Sequence, residues 1–168
     1  IGPLLNPIRV KRQLIGVYRK DLVLKLAQVI QLLDSLAPGN IAQEVMVVHG
    51  EDGLDELSLS APTHIAHLKN GVITEREVRP EDFGLTPAPR SALLGGDALT
   101  NARILLSILS GEKGPKRDWV LLNAAAALVV LLLGLYWSGA QPDLVLLWGY
   151  VIPPLTIMLA GARSGGLA

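Results

Sequence analysis

Residues 45–48, VMVV, form an unbroken apolar run that stops against an acidic, glycine-bearing stretch, HGEDGLDE at 49–56. A strand with one wet face alternates apolar and polar residues. A run without alternation suits a strand covered on both faces, as in parallel sheets. Such a strand needs a helix and a partner, and both precede it. QLIGVY at 13–18 is a short apolar run suited to a strand, and a helix is expected from about Lys20. In that helix Leu22, Leu26, Val29, Leu33 and Leu36 recur at helical spacing and make one apolar face. Asp21 in its first turn suits the helix dipole, and Pro38-Gly39-Asn40 ends it. Strand, helix, strand predicts a right-handed βαβ unit. Open α/β sheets bind ligands beyond the carboxyl ends of their strands, which is where HGEDGLDE falls.

That loop carries Glu51, Asp52, Asp55 and Glu56, with Gly50 and Gly53 to let the backbone turn tightly. Clustered carboxylates suit a hard cation such as Mg²⁺, which keeps waters and shares a bound phosphate. The spacing does not match a Ca²⁺ helix–loop–helix. His49 is the sole imidazole of the loop and is read as ordering it. The competing reading is a solvated acidic turn. Placement after a buried strand favours a binding loop.

Downstream, Thr63–Lys69 and Val72–Val78 flank Asn70-Gly71, the signature of a type I′ β-hairpin. Residues 80–92 are an irregular connection. Gly95-Gly96-Asp97 opens the next helix with Asp97 as N-cap, in preference to a phosphate loop. Ala102, Leu105, Leu106 and Leu109 form its apolar stripe, and Gly111 stops it. GEKGPKR has no Walker spacing and reads as a charged turn; GPKRD leads into a further helix, LLNAAAALVV. His64 and His67, three apart on a strand, face opposite sides and make a poor metal pair.

Fifteen basic and fifteen acidic residues leave no net charge, so no basic field draws nucleic acid. There is no cysteine, hence no disulfide frame or thiolate metal site, which fits a reducing cytoplasm. The chain opens on Ile1 without signal-peptide features and reads as starting inside a larger protein. After Asp118 the only charges are Asp143 and Arg163, and all three tryptophans lie there. Residues 119–137 and 144–162 are uncharged runs of membrane-spanning length. Three origins are weighed for this apolar tail: a reading-frame shift, which is preferred, a divergent buried helix, and a membrane hairpin. Pro153-Pro154 counts against a regular second helix. The expected division is 1–130 as a partial α/β domain and 131–168 as an atypical tail.

GPLLNP, IGVY, VVHGEDGLDELS, the NG hairpin, PEDFGL, GGDALTNA and GEKGPKRDWVLLNAAAAL occur in this order from Ile1 to about Val129. The ordered set resembles the anthranilate phosphoribosyltransferases of tryptophan biosynthesis. The resemblance implies part of the nucleoside phosphorylase/phosphoribosyltransferase-type α/β domain, with a βαβ unit, a β-hairpin and C-terminal helices. It implies a glycosyltransferase that joins the anthranilate amine to ribose C1 of phosphoribosyl pyrophosphate and expels pyrophosphate. In that family the DE pair, here Asp55 and Glu56, holds Mg²⁺ on the diphosphate. No covalent nucleophile is implied, and GPLLNP is expected to border the anthranilate channel. The family's glycine-rich diphosphate loop, its ribose-phosphate and carboxylate contacts, and the helical domain through which it forms homodimers belong to an N-terminal half outside this chain. This chain is therefore expected to hold the Mg²⁺-binding half of a site. Two other readings stay open: a pyrimidine nucleoside phosphorylase-like enzyme, and a non-enzymatic or membrane-associated fragment. LDELS and GPLLNP favour the first reading.

Overall fold

The computed structural model describes Leu4 and residues 10–36 and 44–137, the last seven as backbone only. GPLLNP apart from Leu4, and the run 144–162, lie outside the described residues.

Four strands form one mixed sheet in the order β1-β2-β3-β4: β1 Arg12–Gly16, β2 Glu44–Gly50, β3 Thr63–Lys69 and β4 Val72–Val78. Helix α1, Asp21–Leu36, connects β1 to β2, and those two strands run parallel, with Arg12 opposite Glu44 and Gly16 opposite Val48. The expected strand–helix–strand unit is present. β3 and β4 extend the sheet antiparallel. Their hairpin closes at Asn70 (φ 50°) and Gly71 (φ 75°), the left-handed pair a type I′ turn requires.

The apolar run at 45–48 is explained by its neighbours. Every residue of β2 is buried. Val45 and Val47 meet Val23, Ala27 and Ile30 of α1, while Met46 and Val48 meet Leu122 and Val130. Those last two lie on helix α4, Pro115–Trp137, which covers the opposite face. The molecule is thus three-layered, with α1 and α4 on either side of the sheet.

Two helices differ from the periodicity reading. α1 buries Val23, Ala27 and Ile30, while Val29 and Leu36 of the expected stripe are exposed and Leu22 and Leu26 pack at the margin. A leucine-rich helix offers overlapping stripes, and the one centred on Ala27, which is fully buried, lets the helix lie close on the sheet. In helix α3, Ala98–Leu109, no residue is buried, and Ala102, Leu105, Leu106 and Leu109 all face solvent. Its apolar stripe has no partner among the described residues. The α3 opening matches expectation: the Asp97 carboxylate accepts from the Thr100 N–H at 2.8 Å. A short helix α2, Arg90–Leu93, and a 3₁₀ turn, Pro80–Phe83, punctuate the connection after β4.

The uncharged run from Trp119 is part of α4, anchored by Leu121, Leu122 and Val130. Among the described residues no helix is long and apolar enough to cross a membrane. Through Val130 this first run packs against the sheet.

Candidate functional site

The loop from His49 to Glu56 leaves the carboxyl end of β2, and three restraints hold it, two from the end of β1 and one from α4. Just past β1, the Val17 carbonyl accepts a hydrogen bond from buried His49 Nδ1 at 2.8 Å. A carbonyl can only accept, so His49 carries its proton on Nδ1 and ties the ends of β1 and β2 together. His49 orders the loop, as its position in the sequence indicated.

The second restraint is Gly16, the last residue of β1. A Cβ built there would lie 1.6 Å from the Asp55 carbonyl oxygen and 2.6 Å from its carbon. Only glycine permits the strand end to approach the Asp55 peptide so closely. The third restraint comes from α4. The Leu57 N–H donates to Asn123 Oδ1 at 2.9 Å, and the Leu57 carbonyl accepts from Asn123 Nδ2 and Trp119 Nε1, each at 2.9 Å.

Within the loop the four carboxylates part company. Asp52 turns inward: it accepts from Ser58 Oγ at 2.7 Å, closely from Ser60 Oγ, and from the Leu54 N–H at 3.4 Å. Burial alone would push the Asp52 carboxyl up, but the hydroxyls of Ser60 and Ser58 and the backbone N–H groups bring it below its ordinary value. Arg90 of α2 donates to the Asp52 carbonyl at 2.8 Å. Gly53, at φ 88°, then reverses the chain.

Glu51 turns to the hairpin. Its Oε1 lies 2.7 Å from His64 Nε2 and 3.5 Å from Lys20 Nζ. The hydrogen bond from His64 holds the Glu51 carboxyl below the usual range. His64 Nδ1 lies 3.9 Å from Glu77 of β4. Glu51, His64 and Glu77 each offer a ligand atom within 4.8 Å of the others. Both carboxylates already have cations, however, because Arg79 also sits 2.9 Å from Glu77. His67 goes elsewhere, to buried Glu44 at 2.9 Å. The two histidines serve separate carboxylates and do not form a pair.

Asp55 and Glu56 are both solvent-facing, and among the described residues neither carboxylate is hydrogen-bonded or paired with a cation. Partial desolvation, and then the charge of Asp55, push the Glu56 carboxyl above its usual range. Among the described residues, two adjacent anions are thus left without a partner on a backbone clamped before and after them.

Sequence reading named the loop but missed the restraints of Gly16, Asn123 and Trp119. IGVY and DWVLLN carried those residues in plain view, yet nothing local to them points to a loop tens of positions away.

A family profile described as "Glycosyl transferase family, a/b domain" matches residues 1–135. The chain is 54% identical over 130 residues to the anthranilate phosphoribosyltransferase of Rhodopseudomonas palustris (strain HaA2), covering 77% of this chain and 36% of that enzyme. The corresponding enzyme of Thermoanaerobacter sp. (strain X514) is 48% identical over the same length. Among solved structures, anthranilate phosphoribosyltransferase from Saccharomyces cerevisiae in complex with PRPP and Mg superposes with a TM-score of 0.65 at 28% identity, covering 95% of this chain and 41% of that one. The chain therefore spans little more than a third of the length of the curated relatives it matches. It is similar to anthranilate phosphoribosyltransferases over that share, and it belongs to the glycosyl transferase family through its α/β domain.

Proposed function

We propose that the chain is the metal-holding portion of an anthranilate phosphoribosyltransferase, with Asp55 and Glu56 as the Mg²⁺ ligands. One observation carries the assignment within the loop: of its four carboxylates, only these two lack a partner among the described residues. Two adjacent, solvent-facing carboxylates are hard oxygen donors of the kind Mg²⁺ takes, and they fit an ion that completes its shell with water and a substrate diphosphate. When bound, the ion would neutralise charge on the departing pyrophosphate.

In the reaction, the anthranilate nitrogen forms a bond to ribose C1, the bond from C1 to the diphosphate oxygen breaks, and the amine gives up a proton. The described part of this chain supplies no nucleophile to that sequence. Its residues hold two negative charges at a fixed place at the end of a sheet, which is a contribution of positioning and electrostatics. The binding of phosphoribosyl pyrophosphate and anthranilate is proposed from the relatives, whose structures include complexes with PRPP and Mg and with 4-fluoroanthranilate. The division into a domain through about residue 130 and an apolar tail belongs to the same proposal.

The test joins residues 1–130 to the N-terminal portion of the Rhodopseudomonas palustris enzyme. Mg²⁺-dependent consumption of anthranilate with phosphoribosyl pyrophosphate is expected, and its loss on Asp55→Asn with Glu56→Gln. Phosphorolysis of thymidine without anthranilate turnover would overturn the proposal in favour of a pyrimidine nucleoside phosphorylase.

A further inference from the structure

We infer that Asn123 is a positioning residue for the acidic pair, acting with Trp119 through the backbone of Leu57. The inference rests on the reading of Asp55 and Glu56 as metal ligands.

The geometry is specific. Asn123 uses both ends of its side-chain amide on a single residue: Oδ1 accepts the Leu57 N–H and Nδ2 donates to the Leu57 carbonyl, both at 2.9 Å. A strand partner would bond a residue in the same two-point way. Nδ2 also reaches the Trp119 carbonyl at 3.2 Å, so the amide is braced against its own helix. Trp119 Nε1 adds a second donor to the Leu57 carbonyl at 2.9 Å. The Leu57 side chain is buried beside Met46, Val48 and Leu122, so the residue is held by both backbone and side chain.

The consequence falls on Glu56. The Leu57 N–H belongs to the peptide plane that begins at the Glu56 carbonyl carbon. Fixing that plane, together with the Asp55 peptide plane on the other side, sets both backbone torsions of Glu56, and with them the direction in which its side chain leaves the chain. Gly16 restrains the Asp55 peptide from the other side. The pair therefore sits on a short backbone span gripped at both ends, by β1 and by α4. For two carboxylates to share one cation, their oxygens must be held at a fixed separation, and groups that orient metal ligands account for much of a site's affinity.

A purely structural role would make Asn123 one more contact stabilising α4 on the sheet. The two roles separate on metal affinity. The test measures Mn²⁺ binding to the 168-residue chain by electron paramagnetic resonance, thermal unfolding, and hydrogen exchange of the Leu57 amide. Asn123→Ala is expected to weaken Mn²⁺ binding by about tenfold at temperatures where it is fully folded, in the range seen for partners that orient ligands. Trp119→Phe should give a smaller loss in the same direction, and it carries the test if Asn123→Ala fails to fold. Val130→Ala is the control: it thins the same core, in which Val130 is 1% exposed, without touching the Leu57 backbone. It should lower the melting temperature and leave affinity unchanged.

The inference is overturned if Asn123→Ala and Trp119→Phe bind Mn²⁺ like the parent chain, or if Val130→Ala loses as much affinity as they do. Unchanged binding in Asp55→Asn with Glu56→Gln, or no binding by the parent chain, would instead sink the metal assignment. The clasp itself is then judged by the Leu57 amide, whose exchange must still quicken in Asn123→Ala.

Discussion

The two halves of the acidic loop have the same composition and opposite situations. In the first half, Asp52 is folded into the hydroxyls of Ser58 and Ser60, and Glu51 is paired with His64 and Lys20. In the second half, Asp55 and Glu56 have no partner among the described residues, and partial desolvation, with the charge of Asp55, makes Glu56 harder to ionise. The first pair builds the loop and the second is presented by it. A carboxylate's role is set by the donors the fold brings to it.

This contrast can be broken at several points. The largest effect is expected from Gly16→Ala, because the new methyl would overlap the Asp55 carbonyl, which is backbone and cannot swing aside. We expect a stability loss of about 3 kcal/mol or more in chemical denaturation, at the upper end for overpacked sites. Full stability would show that β1 does not restrain the second half of the loop.

Asp52→Ala should come next. It removes the acceptor for two serine hydroxyls, one of them on buried Ser58. A charged acceptor of this kind is worth roughly 1–2 kcal/mol when part of the group meets water. The acid side of the stability curve checks the same contact. The folded-state pKa of Asp52 is depressed, so its contribution is present above the unfolded value and is lost as pH falls through the folded value. Asp52→Asn should flatten that acid limb, and an unaltered limb would deny the network its role.

The smallest effect on stability belongs to Asp55→Asn with Glu56→Gln. Removing two neighbouring charges that have no partner among the described residues should leave the melting temperature unchanged or slightly raised, while metal binding is lost. A marked destabilisation would erase the distinction between the halves.

Much of the fold was legible because its signals are local. VMVV announces a strand covered on both faces, and Val45 through Val48 are buried by α1 on one side and α4 on the other. Asn70-Gly71 sets the hairpin at the strand bounds the pattern predicted. Periodicity identified α1 and α3 as helices but misjudged what covers them. It measures how apolar residues recur, and coverage depends on neighbours elsewhere in the chain. Val23, Ala27 and Ile30 won over the leucines in α1, and in α3 the stripe meets solvent. At the loop, composition treated four carboxylates alike. Partition among them comes from Ser58, Ser60, His64 and Lys20, whose directions are set by tertiary structure. The Leu57 contact with Asn123 spans 66 residues and leaves no trace in any local window.

That span also sets an order of events. β3 and β4 need only a two-residue turn to meet, so their pairing closes at small entropic cost. The clasp on Leu57 must close the 66-residue span from Leu57 to Asn123, hairpin included, and contacts of such separation form slowly. The hairpin should be an early event of folding and the setting of Glu56 a late one. During synthesis, the acidic pair would reach its final arrangement only after α4 had left the ribosome and docked.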